Sequence, residues 1–471
     1  MMPNTALSSA PAFWLGLDRF SSSPALIDDG VVWSYARLDD VTRHYADAFA
    51  SSAKKVVILQ LERTVSGIAC YFGLLRAGHA VAICGNMVDA EFVAAYRPDI
   101  ILLPERAGLP KLGAGYVEMP PVGDFLRFES TFVEQAAPHA DLTLLLSTSG
   151  SLGKPKLVRH SDRAVAVAAE QVREGLQIRA DERAITALPF THVYGLSVLH
   201  AQLSSGGALV LTRASVMDRR FWETFRRNAV TSMSGVPWIY QRIMDAGLEH
   251  IDIPSLRRLD QSGGRLAARI AAWLSSAFPP ERVATFNMYG QTEAGGRISI
   301  LPSYMARHKP NSVGVAVVDG CLACTAEGEI VYHGPNVMMG YATNRVDLAG
   351  GDSSNGRLNT GDLGRIDSDG CLYITGRNNR LSKVLGYRVS LDDVEDFFED
   401  LLQVAAVSDD ETIALHCEGA ISETVVARTA ALAERLCLPR HLLRLVQSKR
   451  LPRSASGKIL YRKLTGDTWA E

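Results

Sequence analysis

The chain has no apolar run near the ~18–20 residues that a membrane-crossing helix requires, so nothing in it reads as a bilayer span. Its opening segment, MMPNTALSSAPAFWLGLDRF, lacks both a basic leader and an apolar stretch, and is not expected to act as a secretory signal. Excess charge of one sign is missing too: 49 Lys and Arg stand against 51 Asp and Glu, a net charge of -2. That balance offers no general attraction to nucleic acid or to an anionic membrane surface, and neither is expected as a partner. Cysteine is sparse. The seven thiols are scattered, and Cys321-x-x-Cys324 has no second pair or nearby histidine to complete a zinc set. A reduced, cytoplasmic protein is the expectation. Internal repeats and low-complexity tracts are absent as well.

What is present is an ordinary globular composition, 47% hydrophobic and 21% charged, over 471 residues. That length allows about two to four domains with sizeable cores. Residues 20–300 alternate aliphatic runs with helical patterns. The runs 55–61, 81–85, 99–103, 143–150, 184–189, 208–212 and 283–290 predict strands. Leu38, Val41, Tyr45 and Phe49 predict one apolar helix face. Such alternation predicts an α/β architecture with largely parallel sheets. From about residue 311 short strands and Gly-rich turns take over, with Asp369-Gly370 placed as a hairpin turn. After Gly376-Arg377 comes a mixed tail of helical and strand-like segments, among them LDDVEDFFEDLL, TIALHC and SETVVARTAALAERLC. The predicted division is therefore residues 1–376, with a β-rich part at 311–376, and a small α+β domain at 377–471.

The segment 147-STSGSLGKPK-156 follows the apolar run LTLLL. Its small residues and glycines leave backbone N–H groups free to turn toward an anion, and Lys154 and Lys156 add charge. Its spacing is not that of a Walker loop, because Pro155 stands where the magnesium-binding Ser or Thr belongs. Four more segments follow in order: 189-PFTHVYG-195, 287-NMYGQTEA-294, 359-NTGDLG-364 with 376-GRNNRLSKVLGYRVSLDDVE-395, and 454-SASGK-458. Together these segments closely resemble the adenylate-forming superfamily, which includes acyl- and aryl-CoA synthetases, peptide-synthetase adenylation domains and luciferases. The pattern is nearest to the acyl-CoA synthetase-like members. The resemblance runs from ALIDDGVVWSYARLDDV at 25–41 to Lys458.

That resemblance implies a fold and a chemistry. The fold is a large N-terminal body of stacked mixed β-sheets and helices with a small barrel-like part, plus a small mobile α+β lid. The chemistry is attack of a carboxylate on the α-phosphorus of ATP, loss of pyrophosphate, and displacement of AMP from the acyl-adenylate by a thiol or an amine. Anion attacks anion in the first step, so positive charge and oriented N–H groups are needed. Thr148, Ser149, Gly150, Ser151, Gly153 and Lys154 match the residues that hold the β- and γ-phosphates. Thr292 matches the α-phosphate contact and Glu293 the Mg²⁺ ligand. Gly263, Gly264 and Arg265, with Met288, Tyr289 and Gly290, match the adenine seat. Asp362 matches the ribose acceptor, with Arg377 beside it, and Lys458 matches the lysine that bridges carboxylate and α-phosphate. Asn379 falls at the hinge, where the family usually has Asp or Lys. Lys383 and Gly386, in a 383–389 strand, would face the thiol tunnel. Leu152 and Leu157 replace the usual Thr or Ser and the usual Gly of the phosphate loop.

His192 lies where acyl- and aryl-CoA synthetases place a residue beside the carboxylate. Val193, Tyr194, Trp238 and Gly263 are the expected pocket walls. No acidic residue in PFTHVYGLS stands ready to pair an ammonium, so an α-amino acid is disfavoured and an aliphatic or aromatic acid expected. The acceptor stays open among coenzyme A, phosphopantetheine on an acyl carrier protein, and a free amine. The basic run 438–453 would suit an acidic carrier or the CoA 3′-phosphate. A catalytically silent homologue would be expected to lose Lys458, Asp362, Thr292 or Glu293, and this chain keeps all four.

Overall fold

The computed structural model describes residues 12–85, 90–107, 112, 115–132, 136–147, 156–247, 252–377, 380–384, 387–408, 411–436, 438–454 and 457–465. Two large sheets dominate. One has eight strands, with Val56–Gln60, Ala80–Cys84, Leu142–Ser147 and Ile100–Pro104 at its centre. These strands are buried along nearly their whole length and pair in parallel, which is why they read as continuous apolar runs rather than alternating ones. The other has nine strands. Its parallel core is Pro24–Asp28, Ala208–Leu211, Arg183–Ile185, Ser232–Gly235, Arg258–Gln261 and Ala284–Tyr289.

Each of the seven runs read as strands overlaps one, the shortest overlap being at Arg183–Ile185 against 184–189. The helix carrying Leu38, Val41 and Tyr45 forms at Tyr35–Ala48, started by the Ser34 hydroxyl, which accepts from the Arg37 N–H. Phe49 is the residue that ends it, and is buried. Helices Asp162–Gly175 and Val193–Ser204 pack on each other between the sheets.

A four-stranded antiparallel sheet, with strands Cys321–Cys324, Glu329–His333, Arg357–Ile366 and Leu372–Arg377, forms the β-rich part. Its Asp369-Gly370 turn closes as expected: Gly370 has φ 78, and the Gly370 N–H donates to the Asp367 carbonyl. Beyond it, the segment 383–389 departs from the single strand expected. Leu381–Val384 and Tyr387–Ser390 pair antiparallel, Val384 opposite Tyr387, so the chain reverses between them. Residues 384–443 then build their own buried cluster around Val384, Val394, Phe398, Ile413 and Leu415. No described helix is long and apolar enough to cross a membrane.

Between helices Asp162–Gly175 and Val193–Ser204 lie two buried histidines. Burial pushes the His160 pKa down to about 4, against a hydrogen bond to the Thr292 backbone that raises it. His200, stacked on Tyr71 and 3.0 Å from its hydroxyl, is pushed by burial and then by His160 to about 3. Both rings are therefore neutral when folded, while in the unfolded chain they protonate near 6.5. Below 6.5 the unfolded chain binds more protons, so stability falls with falling pH, down to about 4 for His160 and about 3 for His200. Each ring contributes a slope of ~1.4 kcal/mol per pH unit in its window. Urea midpoints measured from pH 7 to pH 5 should fall accordingly, and His200→Phe should roughly halve the histidine part of that slope.

Candidate active site

The site begins where strand Ala284–Tyr289 runs out into a tight turn. Gly290 has no room for a side chain, since a Cβ there would stand 2.1 Å from the Gly296 carbonyl oxygen. The turn continues as a short 3-10 helix, Thr292–Ala294, ended by Gly295 in the left-handed region. This folding turns Tyr289 and Gln291 toward the neighbouring four-stranded sheet, while Glu293 meets Tyr341 at the edge of the eight-stranded one.

Across that gap stands Asp362, 3% exposed, on strand Arg357–Ile366. Its Oδ2 accepts from the Tyr289 hydroxyl at 2.5 Å and from Gln291 Nε2 at 2.7 Å. Its Oδ1 accepts from Arg377 Nε at 2.9 Å, Arg377 being its direct cross-strand partner. Three donors fill most of the carboxylate's acceptor positions and fix its plane, leaving an edge to meet a further hydroxyl. Burial, and then the proximity of Asp362, raises the Tyr289 pKa well above its ordinary value. Gln291 also donates to the Thr360 carbonyl, which ties the two sheets together here. Gln291 was not among the expected site residues; its place between Tyr289 and Thr292 was the available signal.

Lys458 reaches the same cleft from the far end of the chain. Its side chain keeps solvent access, yet its ammonium is hemmed in by protein. Burial, then Arg377, push its pKa down, while Asp362 and Glu293 pull it up. Lys458 in turn acts on His192, whose pKa is lowered by burial and then by that neighbouring charge. His192 precedes the first turn of helix Val193–Ser204 and makes no capping hydrogen bond, so its ring is free to face the cleft. Lys458, Arg377, Asp362, Glu293 and His192, spread over 267 residue positions from 192 to 458, thus meet in one place.

Glu293 Oε1 accepts from the Tyr341 hydroxyl at 2.9 Å, and Lys156 lies over the Tyr341 ring at 3.2 Å. Among the described residues no cluster of three His, Cys, Asp or Glu is poised for a metal. A lone carboxylate fits Mg²⁺ nonetheless, because that ion keeps its waters and takes its other oxygens from phosphates. Leu157 is explained by its position: it opens strand Leu157–Ser161, pairs with Ser147 and Ala342, and is buried in the core. Thr148, Ser149, Gly150, Ser151, Leu152, Gly153, Lys154, Asn379 and Gly386, and the Lys383 side chain, lie outside the described residues.

The remaining expected residues divide. Gly263, with φ +86, faces Val236 and Tyr194, and Gly264 faces Pro237. Trp238, 36% exposed, packs beneath Gly457, whose missing side chain lets the loop before Lys458 lie on the indole. Arg265 is paired with Asp396, and the nearby Ala268 N–H donates to Glu399 Oε1 at 2.8 Å. These contacts hold the 391–399 region against the large body. Tyr194 is buried and its hydroxyl donates to Asp260 Oδ1 at 2.8 Å. Met288 is buried against Arg297. Val193 lies between these groups, partly buried.

Comparison with known proteins places this geometry. The model of the family described as AMP-binding enzyme matches residues 14–342. An oxalate–CoA ligase from Arabidopsis thaliana is 27% identical over 396 residues, 76% of each chain. A 4-coumarate–CoA ligase-like protein from Oryza sativa subsp. japonica is 27% identical over 98% of this chain and 90% of its own. The o-succinylbenzoate CoA synthetase of Bacillus subtilis, solved with its acyl-adenylate intermediate, shares the fold, with a TM-score of 0.75 and 22% identity over 96% of this chain and 98% of its own.

Proposed function

The chain belongs to the AMP-binding enzyme family, and on that premise we propose that it is an AMP-forming acid–thiol ligase. Its substrate is an aliphatic or aromatic carboxylic acid, not an α-amino acid, and its acceptor is coenzyme A. The observation that carries this reading is the convergence of Lys458, Arg377, Asp362, Glu293 and His192 at one cleft.

In the first step a carboxylate oxygen bonds to the α-phosphorus of ATP and the bond to pyrophosphate breaks. Lys458 places its ammonium between the two anions and offsets their repulsion. Asp362 accepts from the ribose hydroxyls, held in orientation by Tyr289, Gln291 and Arg377. Thr292 contacts the α-phosphate, and the 148–154 loop, with Gly150, Gly153 and Lys154, holds the leaving phosphates. Glu293 would hold Mg²⁺, which when bound would neutralise phosphate charge. His192, neutral because burial and Lys458 depress its pKa, borders the carboxylate without adding charge. In the second step the sulfur attacks the acyl carbon and AMP leaves. Lys383, Gly386 and the hinge at Asn379 belong to this step, in which residues 377–471 move as a lid over residues 1–376. Coenzyme A is favoured as acceptor by the names of the relatives, while phosphopantetheine on a carrier protein is the alternative.

An α-amino acid is disfavoured because the segment PFTHVYGLS, which carries His192 beside Lys458, holds no acidic residue to pair an ammonium.

The test is release of AMP and pyrophosphate across alkyl, aryl and amino acids, with and without coenzyme A. CoA-dependent turnover on a non-amino acid is the expected result. Adenylate formed but unmoved by CoA would shift the acceptor to a carrier protein or an amine. No pyrophosphate with any acid would overturn the reading.

A further inference from the structure

Arg297 is the largest side chain fully buried in the described residues, 1% exposed. A guanidinium carries five N–H groups, and this one is poorly served. Its Nη1 donates to the Gly296 carbonyl at 2.7 Å, and its Nε meets the Met288 sulfur, a weak acceptor, at 3.2 Å. Its carbon lies 4.3 Å from the centre of the Tyr194 ring. Nη2 has no hydrogen-bond partner. Asp260 acts on it through space, but its Oδ1 is taken by the Tyr194 hydroxyl, and its Oδ2, 3.5 Å from Arg258 Nε, makes no hydrogen bond to Arg297 or any other described group. A buried cation with an idle donor is costly, and a fold that keeps one has a use for it or a partner to come.

Its position says which. Tyr194 is two residues beyond His192, on the helix turn that leads inward from the reacting carboxylate's place beside Lys458. Met288 and Gly296 flank the turn that carries Thr292 and Glu293. Arg297, packed on the Tyr194 ring and against Met288 and Gly296, therefore joins the segment that follows His192 to the turn that carries Thr292 and Glu293.

We infer that Arg297 determines specificity by offering its unpaired Nη2 to a second carboxylate, so that the preferred substrate is a short dicarboxylic acid. This rests on the acid-activating reading above. One carboxylate reacts beside Lys458 and the other neutralises the guanidinium. A monoacid of the same length would leave Nη2 idle and place a methyl group against a charge. Sites built to hydrogen-bond a polar group reject analogues lacking it far more strongly than apolar pockets reject an extra methylene.

The experiment pairs diacids with monoacids of equal chain length, measuring ATP–pyrophosphate exchange and, separately, direct binding by calorimetry. Variants are Arg297→Met, which keeps bulk and removes the donors, and Arg297→Lys, which keeps the charge with a different donor geometry. Melting temperature and ATP binding serve as folding controls. The native enzyme should favour a short diacid by about 100-fold or more in kcat/KM. Arg297→Met should move that ratio at least about tenfold toward the monoacid, mainly through KM, with Arg297→Lys between. A native preference for monoacids, or a folded Arg297→Met that weakens both classes equally, would overturn the inference while leaving the acid-activating function standing. Diacid binding that depends on Arg297 without any exchange would do the reverse. No binding and no exchange with any acid would overturn both.

Discussion

Lys458→Ala is expected to abolish formation of the acyl-adenylate while leaving thioester formation from supplied acyl-adenylate in part. Lys458 is the cation that comes from the far end of the chain to stand near Asp362, Glu293 and Arg377. Removing one well-placed electrostatic stabiliser from a water-poor site costs about 10²–10³-fold in rate. Here the cost falls on the step in which two anions approach, because only that step concentrates negative charge between carboxylate and phosphate. Thiol attack on the finished mixed anhydride needs no such cation. Single-turnover assays of the two half-reactions separate these outcomes. Exchange of pyrophosphate at the native rate by the variant would sink the role. Since Lys458 as a residue is exposed, its truncation leaves no hole in the core, and the fold should survive it.

Asp362→Ala should produce the second large effect, a loss of about 10–100-fold in kcat/KM for ATP, expressed mostly in KM. Hydrogen bonds to charged groups contribute ~1.5–3 kcal/mol each, and the ribose loses its anionic acceptor. The variant also frees Tyr289, Gln291 and Arg377, which all converge on this carboxylate. Arg377 is 57% exposed in its side chain and can return to water, but the buried Tyr289 hydroxyl cannot do so as readily. Asp362→Asn, which keeps the shape and removes the charge, should fall between native and Ala. Titration of ATP binding by calorimetry measures it, and an Ala variant with native ATP affinity would contradict the assignment.

Both predictions concern residues named from short contiguous motifs, and that is why the sequence could find them. NTGD, QTE and SASGK each sit in one stretch of chain, so their residue types and spacing survive without any knowledge of the fold. The seven aliphatic runs were legible for a related reason: strands buried on both faces need apolar residues in succession, and that need is local. The Asp369-Gly370 hairpin was legible because positive φ at one position selects glycine. The 383–389 segment misled because an aliphatic run with one glycine fits a strand and a hairpin equally well, and only the pairing of Val384 with Tyr387 separates them.

By itself, then, the sequence determined the α/β class, the order of the motifs and the family, and it named the candidate residues for the nucleotide, since each depends on neighbours along the chain. The tertiary structure alone decided which charges are engaged and which are idle. It pairs Arg265 with Asp396, clamps Asp362 with three donors from two sheets, and buries Arg297 with one donor unused. The physical reason is that an ion pair or an unmet hydrogen bond is a relation between groups brought together from distant positions. In a chain of balanced composition, nothing local marks which arginine will find its partner in the protein and which will be left to find it in a substrate.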